Sequence, residues 1–517
     1  MLVARTERAL APAPVLLTRL EEGVRSPGAT GREQHELARE RIFAELLHER
    51  RLRVDDAYAW GMTGVAQVRV VIIGGGPAGN TCATVAATLG AHVTLVERDV
   101  VAGAAHLWDC IPSKAMIATG GELMELDRAQ TMGLSADGKL DFDGLRNRVA
   151  SIEDHMHRSV VELLESQQVR LMRGAARLKG PHQVVVETAR GIEELDADAV
   201  VLATGSRPRV PDFVTVDGER VLTTRQAYPP PELPEHMIVV GSGVTGVEFT
   251  HMFDSLGSKV TLVVSRQQVL PQKDPEVAAV LEEHFLRRGV TLLKGARASA
   301  IRRDGDTVRV ECNDGRVAQG SHAVLAVGSI PNSEELGLDE AGVEVDDGGY
   351  IPIDHHCRSN VEHIYAAGDL SGKLPLSSVA AMQGRKIAEH LMGLHNRPHR
   401  HVDYDKAASA IFTDPEIADV GLAEAEAFAA GRKIRVTKVP FSANAKAHIM
   451  GDPRGFVKLL SDPATGVVLG GSIVGRNAAE LISVVAVAVA NDLKASDIVD
   501  SLLVHPSLSE ALADAAS

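Results

Sequence analysis

Cysteine is scarce in this chain. Its 517 residues hold four, Cys82, Cys110, Cys312 and Cys357, with no C-x-x-C and no pair close in sequence. That usage argues against a disulfide-stapled scaffold and fits a reducing cytoplasm, where the protein is expected to reside. Long apolar runs are missing too. The longest mostly apolar stretch, residues 481–490, is too short for a bilayer crossing of about 20 residues, so the chain is not expected to span a membrane. The N-terminal region has no continuous apolar core of the signal-peptide type, and export is not expected. Positive charge is in deficit, with 54 Lys and Arg against 69 Asp and Glu and a net charge of −15, which argues against a nucleic-acid surface and for a soluble protein.

Glycine, in contrast, is placed to a pattern. Gly74-Gly75-Gly76-Pro77-Ala78-Gly79 and Gly241-Ser242-Gly243-Val244-Thr245-Gly246 each follow an apolar strand-like run and open an amphipathic one. In such a loop the first glycine makes the tight turn, the second lets backbone approach a pyrophosphate, and the third packs helix on strand. One G-x-G-x-x-G is weak evidence. Two in register, each followed by a β-like run ending 18 positions past its third glycine, at Glu97 and at Val264, predict two dinucleotide sites. Two dinucleotides side by side most economically exchange electrons.

The length allows roughly three or four domains. Residues 1–65 are rich in Arg and Glu and include a predicted amphipathic helix at 39–47. They read either as a surface appendage or start-site artefact, since Met62 lies just ahead of the first strand, or as a regulatory or dimer-bracing arm. The remainder divides into a first dinucleotide domain at 66–212, a second dinucleotide domain at 213–335, a return to the first domain at 336–400, and a C-terminal region at 401–517. The predicted class is α/β, with two Rossmann-like βαβ domains and a C-terminal α+β dimerisation domain. The proline-dense stretch from Pro208 to Pro234 reads as a linker into the second βαβ unit.

The most specific stretch is Gly103-Ala104-Ala105-His106-Leu107-Trp108-Asp109-Cys110-Ile111-Pro112-Ser113-Lys114. Here the chain resembles the pyridine nucleotide-disulfide oxidoreductases, whose pattern is G-G-T-C-x-x-x-x-C-I-P-S-K. The resemblance spans about 66–517. It includes Ala203-Thr204-Gly205, the Ala367-Gly368-Asp369 motif, Phe412-Thr413-Asp414-Pro415-Glu416 and His505-Pro506-Ser507-Leu508-Ser509-Glu510, while the strand–glycine ending at Gly328 echoes the one at Gly205. It implies a homodimer holding FAD, with NAD(P)H as substrate and no metal. Cofactor residues would be Gly74, Gly76, Gly79, Glu97, Lys114, Thr204, Gly205 and Asp369 on the flavin side, and Gly241, Gly243, Gly246, Arg266 and Gly328 on the nicotinamide side. Glu97 stands where one carboxylate accepts both ribose hydroxyls. Val264 stands at the matching place after the second loop. An acid there would repel a 2′-phosphate, and its absence, with Arg266 nearby, permits NADPH.

The departure from the family pattern decides the expected chemistry. Ala105 occupies the position of the interchange thiol, and thiol–disulfide exchange needs an attacking thiolate and a resolving partner. Cys110, the family's flavin-facing cysteine, is left alone, either as a small buried filler or in some redox role. Lys114 is the lysine that in the family ion-pairs beside flavin N5 with an acid of the second glycine helix, here Glu248, and supports negative charge on the ring. Val244 replaces a tyrosine lid found in some relatives. His505 and Glu510 match a pair that crosses from the other subunit as proton donor and its orienter. Pro506 after His505 suits a helix first turn. The Ala-Ala ahead of a lone cysteine, with the segment Leu374 to Arg385, is similar to actinobacterial flavoproteins that reduce quinones with NAD(P)H. The expected function is therefore FAD-dependent transfer of hydride from NAD(P)H to a quinone or dye. A transhydrogenase, a dihydrolipoyl dehydrogenase and a non-enzymatic redox-sensing flavoprotein are the alternatives.

Overall fold

The computed structural model describes residues 68–394 and 401–517. The readings made on residues 1–65 lie outside the described residues.

Two parallel sheets organise the first part of the chain. In the first, the strands run Ile364–Ala366, Ala199–Leu202, Arg69–Ile73, His92–Glu97 and Arg170–Arg173. In the second the order is Thr291–Lys294, Lys259–Val264, His236–Val240, His322–Leu325 and Val221–Leu222. The central strands are runs of Val, Ile, Leu and Met because helices and meanders cover both faces and leave no solvent side to alternate with. Each sheet carries a three-stranded antiparallel meander in its return connection, at residues 175–196 and 298–320. Strand Ile364–Ala366 pairs with Ala199–Leu202 although the whole second sheet lies between them in sequence. The first domain is thus assembled from two separated segments.

The stretch read as a linker does more than link. It supplies strand Val221–Leu222, which pairs with His322–Leu325, and the short helix Thr224–Ala227. Two strand residues are too few to show a period, and the prolines around them hide the pairing.

The C-terminal region is a five-stranded antiparallel sheet ordered Ser409–Ile411, Ile417–Gly421, Val468–Val474, Phe456–Ser461 and Arg435–Pro440. Helix Ala478–Ala490 packs its buried Ile482, Val485 and Val489 on that sheet. Among the described residues no helix is long and apolar enough to cross a membrane.

Candidate functional site

Both glycine loops are built alike at atomic detail. Gly74 has φ +108°, and a Cβ on it would stand 2.3 Å from the carbonyl oxygen of Ala203; Gly241 has φ +112° and would meet Ala326 O at 2.2 Å. A Cβ on Gly79 or Gly246 would fall 1.9 Å from the carbonyl oxygen of the loop's own first glycine. The middle glycines differ. Nothing lies within 4 Å of the Cβ direction of Gly243, and only Gly103 Cα, at 4.0 Å, approaches that of Gly76. Space is thus kept open at the N-termini of helices Pro77–Thr88 and Val244–Ser255, where backbone N–H groups and the helix dipole suit a pyrophosphate. Glu97 closes the first cradle. Its Oε2 accepts from Gly75 N–H at 2.6 Å and its Oε1 from Asp99 N–H at 2.7 Å, which fixes the carboxylate beside the loop. These residues fit a dinucleotide.

The specific motif runs directly off this cradle. Gly103, at φ +81°, lies so close to Gly76 that a Cβ would stand 2.4 Å from its Cα. Residues Ala105–Cys110 then wind as a π-turn, closed by Ile111 N–H donating to His106 O, before helix Ile111–Arg128 begins. Such wide turns occur often at functional sites. Ala105 therefore begins the turn that Cys110 ends, and no second sulfur faces Cys110 across it. Burial pushes the Cys110 thiol up, opposed by the positive charge of Lys114. Cys82 and Cys357, though both in the core of the first sheet, are pushed to about 12 by burial, which makes them unreactive thiols.

Lys114 and Glu248 meet as expected. Nζ donates to Glu248 Oε2 at 2.7 Å, with Glu248 almost wholly buried. The other carboxylate oxygen accepts Phe412 N–H at 3.0 Å, and the Lys114 ammonium sits 4.9 Å from the Phe412 ring centroid. The first motif, the second glycine helix and the start of the C-terminal region thus converge on one carboxylate. That role of Phe412 was hidden in sequence, because its contribution is a backbone N–H.

Several neighbours were not anticipated. Asp109 Oδ2 accepts from Arg225 at 2.6 Å, and the Arg225 guanidinium lies 5.3 Å from the ring of exposed Trp108. Burial holds the Asp109 carboxyl above its ordinary range, with Arg225 opposing. The phenol of Tyr228, stacked on Phe249 at 4.6 Å, is driven well up, first by burial and then by Glu248, Asp109 and Cys110. Asp369 accepts from Ser206 Oγ at 2.6 Å. Thr204 donates its hydroxyl to Asn332 O at 2.7 Å, its own carbonyl accepts Asn332 Nδ2 at 2.9 Å, and Gly205 O accepts Asn332 N–H at 2.9 Å. The Ala-Thr-Gly motif therefore clasps the chain where Ser206–Pro208 pairs with Ser329–Pro331, and Gly328 O accepts Arg209 N–H at 2.9 Å beside it.

On the nicotinamide side Val264 is fully buried, while Arg266 is exposed and makes no side-chain hydrogen bond or ion pair among the described residues. Val244 is exposed at the mouth of the second helix.

His505 and Glu510 form their pair, Nδ1 to Oε1 at 2.7 Å, and Glu510 Oε2 accepts Ser507 N–H at 2.9 Å. Pro506 does not open a helix, however. The helix starts at Glu510, whose carboxylate bridges back over the intervening loop. His505 is 75% exposed, and neither member touches Cys110, Lys114 or Glu248 within the chain. Leu502 and Val504 beside it are also exposed.

The sequence pattern of the pyridine nucleotide-disulphide oxidoreductases matches residues 68–384, and that of their dimerisation domain matches 407–516. The chain is 41% identical over 461 residues to an NAD(P)H dehydrogenase (quinone) of Mycobacterium tuberculosis, covering 87% of this chain and 93% of that one. It is 33% identical to a dihydrolipoyl dehydrogenase of Zymomonas mobilis, over 86% of this chain and 96% of the relative. Among solved structures, LpdA from Mycobacterium tuberculosis superposes with a TM-score of 0.83 at 41% identity, over 87% of this chain and 99% of LpdA.

Proposed function

Because the chain belongs to the pyridine nucleotide-disulphide oxidoreductases, a family that uses FAD with NAD(P)H as substrate, we propose that it reduces a quinone or similar acceptor without a disulfide relay. The observation that carries this reading is the π-turn with Ala105 at one end and Cys110 alone at the other. A disulfide substrate finds no pair of thiols there, one to attack and one to resolve. The relative at 41% identity that bears the quinone name supports the same choice.

Bound FAD would supply the electron chemistry, taking hydride from the nicotinamide and passing electrons to the acceptor. The protein's part is placement, charge and a proton. Gly74, Gly76 and Gly79 cradle one pyrophosphate and Glu97 takes the ribose. Gly241, Gly243 and Gly246 cradle the other, with Arg266 reaching a 2′-phosphate. Lys114 presents a cation, held in place because Glu248 is itself pinned by Phe412. His505, oriented by Glu510, donates a proton from the second subunit of a homodimer, where Leu502 and Val504 would also be covered. The domain division at 66–212, 213–335, 336–400 and 401–517 belongs to this proposal.

Anaerobic titration of the FAD-loaded protein with NADPH tests it. About one equivalent per flavin should complete reduction, since only the flavin accepts electrons. Uptake of about two equivalents, the signature of a flavin plus a disulfide couple, would overturn the reading.

A further inference from the structure

A cluster of imidazoles includes none of the residues given to the flavin and nicotinamide. His355, His356 and His401 each offer one ring nitrogen, and these atoms all lie within 4.8 Å of one another. The rings of His355 and His401 are 4.4 Å apart at 76°, and those of His355 and His356 are 4.1 Å apart. His390, near the end of helix Ser377–Leu391, stacks on His356 at 4.2 Å. The turn that carries two of the rings is stiff. Asp354 Oδ1 accepts the N–H groups of His356 at 2.8 Å and Arg358 at 2.9 Å, and its Oδ2 accepts Arg358 Nε at 2.9 Å.

We propose that His355, His356 and His401 form a binding site for a divalent late transition-metal ion of the zinc type. Neutral imidazole is the donor such ions prefer, and three of them leave a fourth tetrahedral position for water or another ligand. With metal–nitrogen distances of about 2.0–2.1 Å, tetrahedral nitrogens stand about 3.3 Å apart. The nitrogens now lie within 4.8 Å of one another, and His355 and His401 are exposed, so closing to that spacing asks for rotation of surface side chains. Bound metal would link the turn ahead of strand Ile364–Ala366 to the entry of the C-terminal region at His401.

The test is calorimetric titration of the FAD-loaded full chain with Zn²⁺, paired with metal analysis after dialysis. Wild type should bind about one Zn²⁺ per chain at this site, His401→Gln should weaken that binding at least about tenfold, and His355→Ala with His401→Gln about a hundredfold, with equal flavin content. Zn²⁺ should raise the Tm of the wild type and not of the double variant. If the double variant loses flavin, the exposed single substitution His401→Gln decides. Absence of a saturable Zn²⁺ site in wild type, or unchanged affinity in His401→Gln, would overturn the proposal.

Discussion

At the scale of single residues, Ala105 and Lys114 are proposed to shape the chemistry in opposite ways. Ala105 removes a thiol, so Cys110 has nothing to resolve; Cys110→Ser should keep most quinone turnover, as steady-state assays with menadione would show. Lys114 matters because its partner is buried. Removing the ammonium leaves the Glu248 carboxylate with only the Phe412 N–H. Breaking a buried pair typically costs about 3–5 kcal/mol, and the partial exposure of Lys114 puts the cost at the low end. Lys114→Met should therefore lower the Tm markedly, and adding Glu248→Gln should recover part of the loss. A strictly additive double variant would show that the two are not coupled. Arg266 stands at the surface with its donors available, and a charged hydrogen bond to a 2′-phosphate contributes about 1.5–3 kcal/mol. Arg266→Ala should raise the KM for NADPH about tenfold or more while leaving that for NADH alone. Equal changes for both cofactors would assign Arg266 to solvent.

At the scale of elements, the two glycine loops separate folding from binding. Gly246→Ala drives a methyl into the carbonyl of Gly241, so the second sheet and its helix must part, and soluble yield and Tm should fall. Gly243→Ala meets no protein atom and keeps an ordinary φ of −73°, so fold and flavin should survive while NADPH binding weakens through contact with its pyrophosphate. Gly243→Ala with wild-type KM for NADPH would show that the nucleotide lies elsewhere. These loops were legible in sequence because G-x-G-x-x-G between an apolar and an amphipathic run is a local signal, and the same holds for the motif ending at Lys114. What escaped was non-local or carried by backbone. The pairing of Val221–Leu222, the Phe412 N–H on Glu248, the Asn332 clasp on Thr204 and the Asp109–Arg225 pair all join segments distant in sequence, and no spacing rule reaches them. Pro506 suits a helix first turn by local rule, yet the last helix opens at Glu510, whose carboxylate is tied to His505 and to the Ser507 N–H.

At the scale of the whole molecule, buried histidines tie stability to pH. Burial holds His251 and His284 at about 4, each neutral in the folded chain. An unfolded histidine titrates near pH 6.5, so between about pH 6.5 and about 4 the unfolded state binds more protons. Stability should then fall as pH falls through that window, by at most about 3 kcal/mol per histidine, and stop falling on their account below it. Urea midpoints measured from pH 7 to pH 4 check this, and His251→Leu should flatten the slope. Assembly is the other molecular property at stake. Loss of a general acid costs about 10²- to 10⁴-fold, softened if the quinone takes its proton from water. His505→Ala should thus slow quinone reduction with flavin content intact, and a monomer with full activity would make His505 irrelevant. The central claim, that this scaffold works without a disulfide, is tested most directly by one assay on the FAD-loaded protein. NADPH turnover is measured with menadione and with lipoamide side by side. Rapid reduction of menadione with negligible lipoamide turnover is the predicted result, and robust lipoamide turnover would contradict it.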